Sequence, residues 1–525
     1  MTIPVVPAPV VVEAREGVFR LAAGAVVAVE DAALAPVAEL FVADVAADGG
    51  PALVVGPKGR AAVTLTFGDE GLADAPAASG DRADGTFTDE RCGLEVTPDG
   101  IRVWAATPEG VHRALTTLRQ LVVAAAGEPI PAVRIVDGPR YAWRGLSLDI
   151  SRTFHGPETI RRVLDMCSLF KVNVLHLHLT DNEGWRFEVP GWPLLTEVGA
   201  RGATGDRPGG WLSPADLADL DAYAAARFVT IVPEVDMPGH SGAVLQSYPE
   251  LATAAAAGVE GLGMPMANLD PDNDATWRFV DAVLDAAIAL FPRAAFLHIG
   301  GDEAFGMADD AHVRFIDEAV RRVAARGRRV VGWQEIARAG VGPNDVVQYW
   351  MNPASLEQQN TEALTSMIPA EMLPMIIEHV MKAAGDVPAA VAKGSPILLS
   401  LTDVLYFDRP LASASTDPVQ EGARPRLGLP FYPPATLRDF VDWEPADLLP
   451  EGARVQGVEG VVWCETVTSR EDLEMLVMPR LAASGEKGWA TRRTWDDYAG
   501  RVAAQSAAWT ARGWNWFRSE EIDWR

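Results

Sequence analysis

Cysteine is scarce in this chain, and its three copies lie far apart, at Cys92, Cys167 and Cys464. This spacing offers neither a cysteine-rich zinc module nor a disulfide framework. Long apolar runs are also missing, since no stretch reaches the length of a membrane-spanning helix. The first residues, Met1-Thr2-Ile3-Pro4, lack the basic and apolar segments of a secretory leader. A cytoplasmic protein is the simplest interpretation, while a secreted protein whose leader has been removed stays open.

Positive charge is the other shortage. The chain has 45 Lys and Arg against 72 Asp and Glu, which gives a formal net charge of -27. This excess opposes binding to phosphate backbones and to anionic membranes, so we expect neither a nucleic-acid partner nor a membrane partner. With 525 residues, of which 48% are apolar, the chain is long enough for more than one domain around a large core. The oligomeric state cannot be read from these features.

The first part of the chain, residues 1–138, has the texture of an α+β domain. Short apolar runs at 25–29, 63–67 and 101–105 are separated by Gly, Asp and Pro. A segment at 108–124 carries apolar residues at helical spacing. No cluster of catalytic groups is visible, so we interpret this part as a scaffold domain.

Residues 139–525 show a different rhythm, in which apolar runs alternate with helical segments. Several runs are almost continuously apolar, as expected for parallel strands that are covered on both faces. We predict eight strands, at 144–150, 174–180, 228–235, 296–300, 329–333, 346–350, 397–401 and 458–464, and helices at 157–171, 213–227, 274–291, 309–326 and 470–484. This α/β pattern predicts a (β/α)8 TIM barrel preceded by the smaller α+β domain. A doubly wound sheet is the alternative, but no glycine-rich dinucleotide loop supports it.

Two segments depart from the alternation. Residues 351–395 are too long for a barrel loop and predict a helical insertion with an apolar face that includes four methionines, Met367, Met372, Met375 and Met381. Packing on the barrel, a lid and a subunit contact all remain open for it, and we expect it to shape the far side of the site. The C-terminal tail is rich in tryptophan, which predicts helices that pack on the barrel exterior.

The strongest functional signal is the tetrad Gly300-Gly301-Asp302-Glu303. It follows the apolar run at 296–299, so two carboxylates are delivered where a buried strand ends beside backbone-only glycines. Other predicted strand ends supply a matching set of polar and aromatic side chains, namely Asp181, Glu234, Asp236, His240, Trp333, Trp350, Tyr406, Asp408, Trp463 and Glu465. In a TIM barrel these ends meet on one face.

Carboxylates, tryptophans and a tyrosine on one face suit a carbohydrate. A sugar ring stacks on indole, its hydroxyls need polar partners, and glycosidic cleavage needs a carboxylic acid at the leaving oxygen. The pair His176 and His178, with His240, His298 and Asp302, leaves a metal-dependent barrel hydrolase as one alternative. A non-catalytic amino-sugar-binding protein is the other. We expect no metal and no cofactor, because the two histidines precede the strand end, where inward side chains fill the core.

Four motifs together resemble the family 20 glycoside hydrolases, the β-N-acetylhexosaminidases. They are the runs 143–149 (WRGLSLD), 175–181 (LHLHLTD) with 184–186 (GWR), 233–240 (PEVDMPGH) and 298–303 (HIGGDE). The resemblance spans about residues 141–490, and the stretch 110–121 is similar to the α+β domain that precedes the barrel in this family. It implies an enzyme that removes terminal β-linked GlcNAc, with GalNAc as a further candidate, and needs no cofactor.

The resemblance also implies roles for individual residues. Glu303 would be the general acid and then the general base, and Asp302 would hold the 2-acetamido group, whose oxygen attacks the anomeric carbon to give an oxazolinium ion with overall retention. Tyr406 would hydrogen-bond the acetamido oxygen. Asp181 and His240 would stand behind Glu303 and tune its pKa, since Glu303 must be protonated before the first step. The remaining implied contacts are Trp333, Trp350 and Trp463 around the sugar, and Arg144, Asp408 and Glu465 on its ring hydroxyls.

Overall fold

The computed structural model describes residues 3–254, 267–353, 363, 373–491 and 493–524. Its N-terminal part is a seven-stranded mixed sheet in the order β1-β7-β5-β6-β4-β2-β3. The strands are β1 (Val11–Phe19), β2 (Val26–Val29), β3 (Val54–Val55), β4 (Ala61–Phe67), β5 (Cys92–Thr97), β6 (Gly100–Ala105) and β7 (Ile130–Asp137), with helices α1 (Ala35–Ala47) and α2 (Pro108–Ala125).

Helix α2 joins this sheet to the rest of the molecule. Thr107 caps its start by accepting a hydrogen bond from the Gly110 N–H, and Pro108 occupies the first turn, where no amide donor is needed. Its residues from 109 to 123 are buried, because the helix packs on the sheet and also touches the second domain. His112 Nε2, for example, lies 3.2 Å from Ser168 Oγ in that domain.

The second domain is a closed barrel of eight parallel strands, which confirms the predicted fold class. The strands are β8 (Trp143–Asp149), β9 (Val174–His178), β10 (Thr230–Glu234), β11 (Phe296–His298), β12 (Arg329–Trp333), β13 (Val346–Tyr349), β14 (Ile397–Leu399) and β15 (Val455–Val462). Most end one or two residues earlier than predicted, because the polar residues after each strand turn out of the sheet to build loops.

Helices surround the barrel. They are α3 (Pro157–Leu169), α4 (Pro214–Ala225), α5 (Gly242–Ser247), α6 (Asp274–Leu290), α7 (Asp309–Ala325), α8 (Leu373–Ala392), α9 (Pro418–Ala423), α10 (Arg470–Val477), α11 (Arg480–Trp489), α12 (Trp495–Ala503) and α13 (Ser506–Ala511). The single helix predicted at 470–484 is wrong. It is divided at Met478-Pro479, where proline removes a backbone donor that a continuous helix would require.

The barrel interior is stacked in layers. Its amino-terminal end is apolar and is filled by residues such as Trp143, Val232, Phe296 and Leu398. The next layer is polar, with one side chain from each of the alternate strands β9, β11, β13 and β15: His176, His298, Gln348 and Glu459. Four residues from alternate strands are the usual filling of a TIM barrel layer, but here the layer is built from hydrogen-bonding groups.

The two irregular segments are partly accounted for. Helix α8 belongs to the predicted insertion and carries Met375 and Met381, whereas Met367 and Met372 lie outside the described residues. In the tail, Trp509, Trp514 and Phe517 are buried against the barrel helices, as predicted. Within the described part of the chain, no helix combines the length and the apolar character needed to cross a membrane.

Candidate active site

The turn after β11 presents Asp302 and Glu303. Gly300 and Gly301 have φ angles of 68° and 97°, and Glu303 itself has a φ of 42°, which is uncommon for a residue with a side chain. A Cβ atom on Gly300 would lie 1.6 Å from Asp236 Oδ1, so only glycine fits there. This tight, strained backbone aims both carboxylates at the carboxyl end of the barrel, as is common at functional sites.

The two neighbouring carboxylates have different surroundings. The side chain of Asp302 is 11% exposed and that of Glu303 is 33% exposed. Burial, followed by the charge of Asp236, raises the pKa of Asp302 well above its usual value. Asp302 Oδ1 is buried without a hydrogen-bond partner among the described residues. Since buried polar atoms are normally paired, this oxygen is placed to receive a donor from a ligand.

His240 faces both carboxylates. Its Nε2 lies 3.6 Å from Asp302 Oδ2 and 3.5 Å from Glu303 Oε2, while its Nδ1 lies 3.0 Å from Asp181 Oδ1. Burial lowers the pKa of His240, but Asp181, Asp236 and Asp302 outweigh it and hold this pKa well above its usual value. The predicted pair Asp181 and His240 therefore stands beside the acid pair, with a cationic ring turned towards it.

Aromatic side chains line the space beside these acids. Tyr406 stacks on Trp350, with ring centres 6.5 Å apart and planes 12° apart, and it meets the edge of Trp463 at 6.3 Å. Trp333 lies 5.7 Å from Trp463. Four aromatic residues that the sequence assigned to separate strand ends thus form one cluster, to which Tyr432 is added at 5.9 Å from Tyr406.

Two of the indoles are held from behind by carboxylates. Trp333 Nε1 donates to Glu234 Oε1 at 2.8 Å, and Trp350 Nε1 donates to Glu335 Oε2 at 3.2 Å. A charge-assisted hydrogen bond at the ring nitrogen fixes the rotation of each ring. The walls are therefore set in place before any ligand arrives.

Asp408 and Glu465 supply further acceptors. Asp408 Oδ1 accepts a hydrogen bond from the backbone N–H of Trp463 at 3.4 Å. In the described part of the chain, Asp408 Oδ2 and Glu465 Oε2 are buried and have no hydrogen-bond partner. Burial, then the charge of Glu465, raises the pKa of Asp408 well above its usual value. Oxygens of this kind suit the hydroxyl groups of a sugar.

The histidines of β9 point into the barrel. His176 Nδ1 and Nε2 lie 2.9 and 3.0 Å from Glu459 and Glu234, and His178 Nδ1 and Nε2 lie 2.6 and 2.8 Å from Glu234 and Asp181. Both nitrogens of His178 make hydrogen bonds with carboxylate oxygens, which fits a protonated imidazole that donates at both positions. His176 Nδ1 makes one with Glu459, whereas its Nε2 lies close to Glu234 without a hydrogen bond. A metal ion would instead require an unprotonated ring nitrogen, so we derive no step through a metal from these groups.

Comparison with known sequences agrees with this geometry. Residues 141–492 match the family model described as glycosyl hydrolase family 20, catalytic domain, and residues 2–138 match the model of domain 2 of that family. The chain belongs to glycosyl hydrolase family 20. It is accordingly a glycoside hydrolase, and the family resemblance of its motifs is confirmed.

Relatives in family 20 match over almost the whole chain. A β-N-acetylhexosaminidase of Cellulomonas fimi is 34% identical over 99% of this chain and 97% of its own length. The solved structure of the β-N-acetylhexosaminidase of Streptomyces coelicolor A3(2) has a TM-score of 0.81 and 32% identity, and it covers 99% of each chain. A mutant β-hexosaminidase of Streptomyces plicatus, solved with its product GlcNAc, has a TM-score of 0.81 and 31% identity over 99% of this chain and 98% of its own.

The structure does not place Arg144 in the family 20 site, and this prediction is corrected. Arg144 is the second residue of β8, at the amino end of the barrel. Its buried guanidinium lies 2.6 Å from Glu90 Oε2 and donates to the Tyr141 and Lys171 carbonyls at 2.6 and 2.8 Å. Because parallel strands run through the barrel, a residue at a strand's amino end lies on the face opposite the active site.

The arginine at the site is Arg152, which the sequence reasoning missed. It lies three residues after the end of β8, with Nη2 2.7 Å from Asp181 Oδ2 and its guanidinium 5.0 Å from the centre of the Trp463 ring. Its position just after a strand end was the available signal. Glu234 was counted among the strand-end residues without a role of its own, and Glu335 was missed. The structure shows that these two carboxylates hold the indoles of Trp333 and Trp350.

Proposed function

We propose that this family 20 enzyme is an exo-acting β-N-acetylhexosaminidase that removes terminal, non-reducing, β-linked GlcNAc, with GalNAc as a second substrate to be tested. The observation that carries the proposal is the buried Oδ1 of Asp302, which has no hydrogen-bond partner among the described residues. Asp302 stands next to the more exposed acid Glu303, and its charge contributes to the raised pKa of Tyr406. The names of the Cellulomonas fimi and Streptomyces relatives support the same substrate class.

In the first step, the carbonyl oxygen of the substrate's own acetamido group attacks the anomeric carbon. The bond to the leaving oxygen breaks, and Glu303 gives that oxygen its proton. The acetamido group becomes an oxazolinium ion, and no enzyme nucleophile is required. In the second step, Glu303 takes a proton from water and the water oxygen attacks the anomeric carbon. The bond from that carbon to the acetamido oxygen breaks, so the oxazolinium ring opens and the acetamido group is restored. Two displacements at one carbon retain its configuration.

Asp302 and Tyr406 orient the attacking group. Asp302 Oδ1 accepts the acetamido N–H. The positive charge that develops on the oxazolinium ring favours the ionised form of Asp302, in spite of the raised pKa of this carboxyl in the empty site, and the carboxylate stabilises that charge in return. Burial, followed by the nearby Tyr432, raises the pKa of Tyr406 well above its usual value, so the phenol keeps its proton and donates to the acetamido oxygen. A hydroxyl in place of the acetamido group has no carbonyl oxygen, so it cannot close the oxazolinium ring.

Asp408 and Glu465 give the proposal its exo character. Their unpaired oxygens are buried next to Trp463 of the aromatic cluster. They accept hydrogen bonds from ring hydroxyls of the terminal sugar, and further sugars on that side would remove those hydroxyls. This favours cleavage of one residue at a time from the non-reducing end.

The test compares an aryl β-GlcNAc with the matching aryl β-glucoside. The glucoside has the same leaving group and ring hydroxyls but lacks the internal nucleophile, so its kcat/KM should be lower by several orders of magnitude. Proton NMR of the first-formed product should show the β-anomer of GlcNAc. Comparable rates on the two glycosides, or release of the α-anomer, would sink the mechanism.

A further inference from the structure

Glu234, the last residue of β10, is fully buried and yet contacts several ionisable or hydrogen-bonding rings. Its Oε1 accepts the Trp333 indole N–H at 2.8 Å and lies 2.9 Å from His298 Nδ1. Its Oε2 lies 2.6 Å from His178 Nδ1 and 3.0 Å from His176 Nε2. A carboxylate has no hydrogen to donate, so Glu234 can accept a hydrogen bond on each of its oxygens, here from the Trp333 indole and from His178.

Two paths lead from Glu234 to the active site. One is direct, because the Trp333 indole that it holds is part of the aromatic wall. The other passes through His178, whose Nε2 lies 2.8 Å from Asp181 Oδ2, and then through Asp181 Oδ1, which lies 3.0 Å from His240 Nδ1. His240 in turn faces the two catalytic carboxylates at 3.5 and 3.6 Å.

We propose that Glu234 is a positioning residue for glycoside hydrolysis, which holds the Trp333 wall and, through His178 and Asp181, orients the His240 imidazolium towards Asp302 and Glu303. It contacts no substrate itself. The inference depends on the proposed function in one respect, which is that an aryl β-GlcNAc serves as the substrate for the rate measurements.

The charges in this network explain why a neutral group would not replace Glu234. Burial lowers the pKa of His178, but Glu234 and then Asp181 outweigh it and hold that pKa well above its usual value. The charged groups that face His178 are Glu234 from β10, Asp181 and Arg152 from the loops after β9 and β8, and Asp236 after β10. Loss of the Glu234 charge removes the largest stabilisation of the imidazolium, so His178 would release its proton at lower pH.

The barrel contains a matched control for this residue. Glu459 of β15 is also fully buried, accepts an indole N–H from Trp143 at 2.8 Å, and contacts His176 Nδ1 at 2.9 Å and Gln348 Nε2 at 3.0 Å. Trp143 lies at the amino end of the barrel and has no contact with the acid pair. Glu234→Gln and Glu459→Gln therefore remove the same charge from similar surroundings. Glu234 directly contacts Trp333 and His178, whereas Glu459 reaches Glu234 only through His176.

The experiment measures thermal unfolding, kcat and KM on an aryl β-GlcNAc, and the pH dependence of kcat, for wild type and both variants. Both variants should lose stability. Per folded molecule, Glu234→Gln should lose about 10–100-fold in kcat/KM, as is common when the partner of an active-site group is removed, and Glu459→Gln should stay within about threefold of wild type. The alkaline limb of the kcat profile should move to lower pH in Glu234→Gln alone.

Equal losses in the two variants would overturn the proposal, because they would show that both residues serve folding only. So would a Glu234→Gln enzyme with a kcat and a pH profile like those of wild type. If either glutamine variant does not fold, Glu234→Asp and Glu459→Asp replace the pair. Each keeps the charge but moves it back by one methylene, and the same difference in kcat/KM and in pH profile is expected between them. Wild type without activity on the aryl β-GlcNAc would instead contradict the proposed function.

Discussion

At the scale of single residues, Glu303 and Asp302 are adjacent in sequence, yet we expect their substitution to reduce kcat/KM in different patterns. Glu303→Gln cannot protonate a leaving group, and a sugar leaving group needs that proton far more than a nitrophenolate does. General acid assistance is typically worth about 10²–10⁴-fold, so the loss in kcat/KM should grow as the leaving group becomes more basic. The measurement is kcat/KM across a series of phenyl β-GlcNAc substrates.

Asp302→Asn is the comparison within the same series. It removes the charge that stabilises the oxazolinium ion, a contribution that does not depend on the leaving group. Its penalty should be nearly uniform across the phenols. A uniform penalty for Glu303→Gln and a graded one for Asp302→Asn would mean that the two roles are exchanged.

Arg144 and Arg152 separate support of the fold from support of the site. Arg144→Met leaves Glu90 buried without one of its partners, and breaking a buried ion pair costs about 3–5 kcal/mol. Urea unfolding should show this loss, while KM stays near the wild-type value. Arg152→Met should instead lower kcat/KM, because Arg152 holds Asp181 and covers the Trp463 ring. A raised KM with unchanged stability in Arg144→Met would show instead that Arg144 contributes to substrate binding.

At the scale of elements, helix α8 brings part of the insertion to the wall of the pocket. Its His379 is buried, with Nε2 2.9 Å from Glu335 Oε1, and the other oxygen of Glu335 accepts the Trp350 indole N–H at 3.2 Å. The sequence led us to expect an effect on the far side of the site only. These contacts favour a direct role in supporting the first sugar position as well.

His379→Phe should therefore weaken binding even of a simple aryl β-GlcNAc. Losing the His379–Glu335 ion pair behind Trp350 is worth about 1 kcal/mol, or about fivefold in KM. Asp386→Asn is the control, since Asp386 ties the same helix to Arg338 at 2.7 and 2.8 Å without contact to a pocket ring. Equal KM values for the two variants would show that α8 acts on the site only through its general attachment.

At the scale of the whole molecule, a buried charge cluster joins the two domains. Glu90 of the N-terminal domain lies 2.6 Å from Arg144 of the barrel, and it also pairs with Arg113 and Arg82 at 2.8 and 3.1 Å. Burial raises the pKa of Glu90, but Arg144, Arg113 and Arg82 outweigh it and bring the pKa to about 2. The ionised form is thus strongly favoured in the folded protein.

This cluster predicts how stability depends on acid. The folded pKa of Glu90 lies below the unfolded one, so its contribution is complete above about pH 5 and is lost as the pH falls towards 2. A shift from 4.5 to about 2 corresponds to about 3 kcal/mol at most. Because burial and then Glu90 raise the pKa of the neighbouring Glu109 to about 7, the comparison is made with Glu109→Gln as the parent. Urea unfolding between pH 5 and pH 3 should show a steeper loss for Glu109→Gln than for the double variant Glu90→Gln/Glu109→Gln, which starts lower. Parallel slopes would contradict this assignment.

The sequence by itself determined the architecture and most of the site. Almost continuously apolar runs are typical of parallel strands that are covered on both faces, and eight of them with intervening helices, without a glycine-rich dinucleotide loop, favour a closed barrel over a doubly wound sheet. Because the ends of such strands meet, Asp302, Glu303, Trp333, Trp350 and Trp463 could be assigned to one site before any coordinate was known. Their chemistry then follows from local motifs, which are short-range information.

Only the tertiary structure decided which groups stand behind the site. Arg144 and Arg152 lie only eight residues apart, but the strand between them carries one to each end of the barrel, so nearness along the chain could not show which of the two reaches the site. The partners of Glu234 come from β9, β11 and β12, and that of Glu335 from an insertion helix. Such contacts depend on barrel stagger and on how helices pack, which residue patterns along a chain do not encode locally.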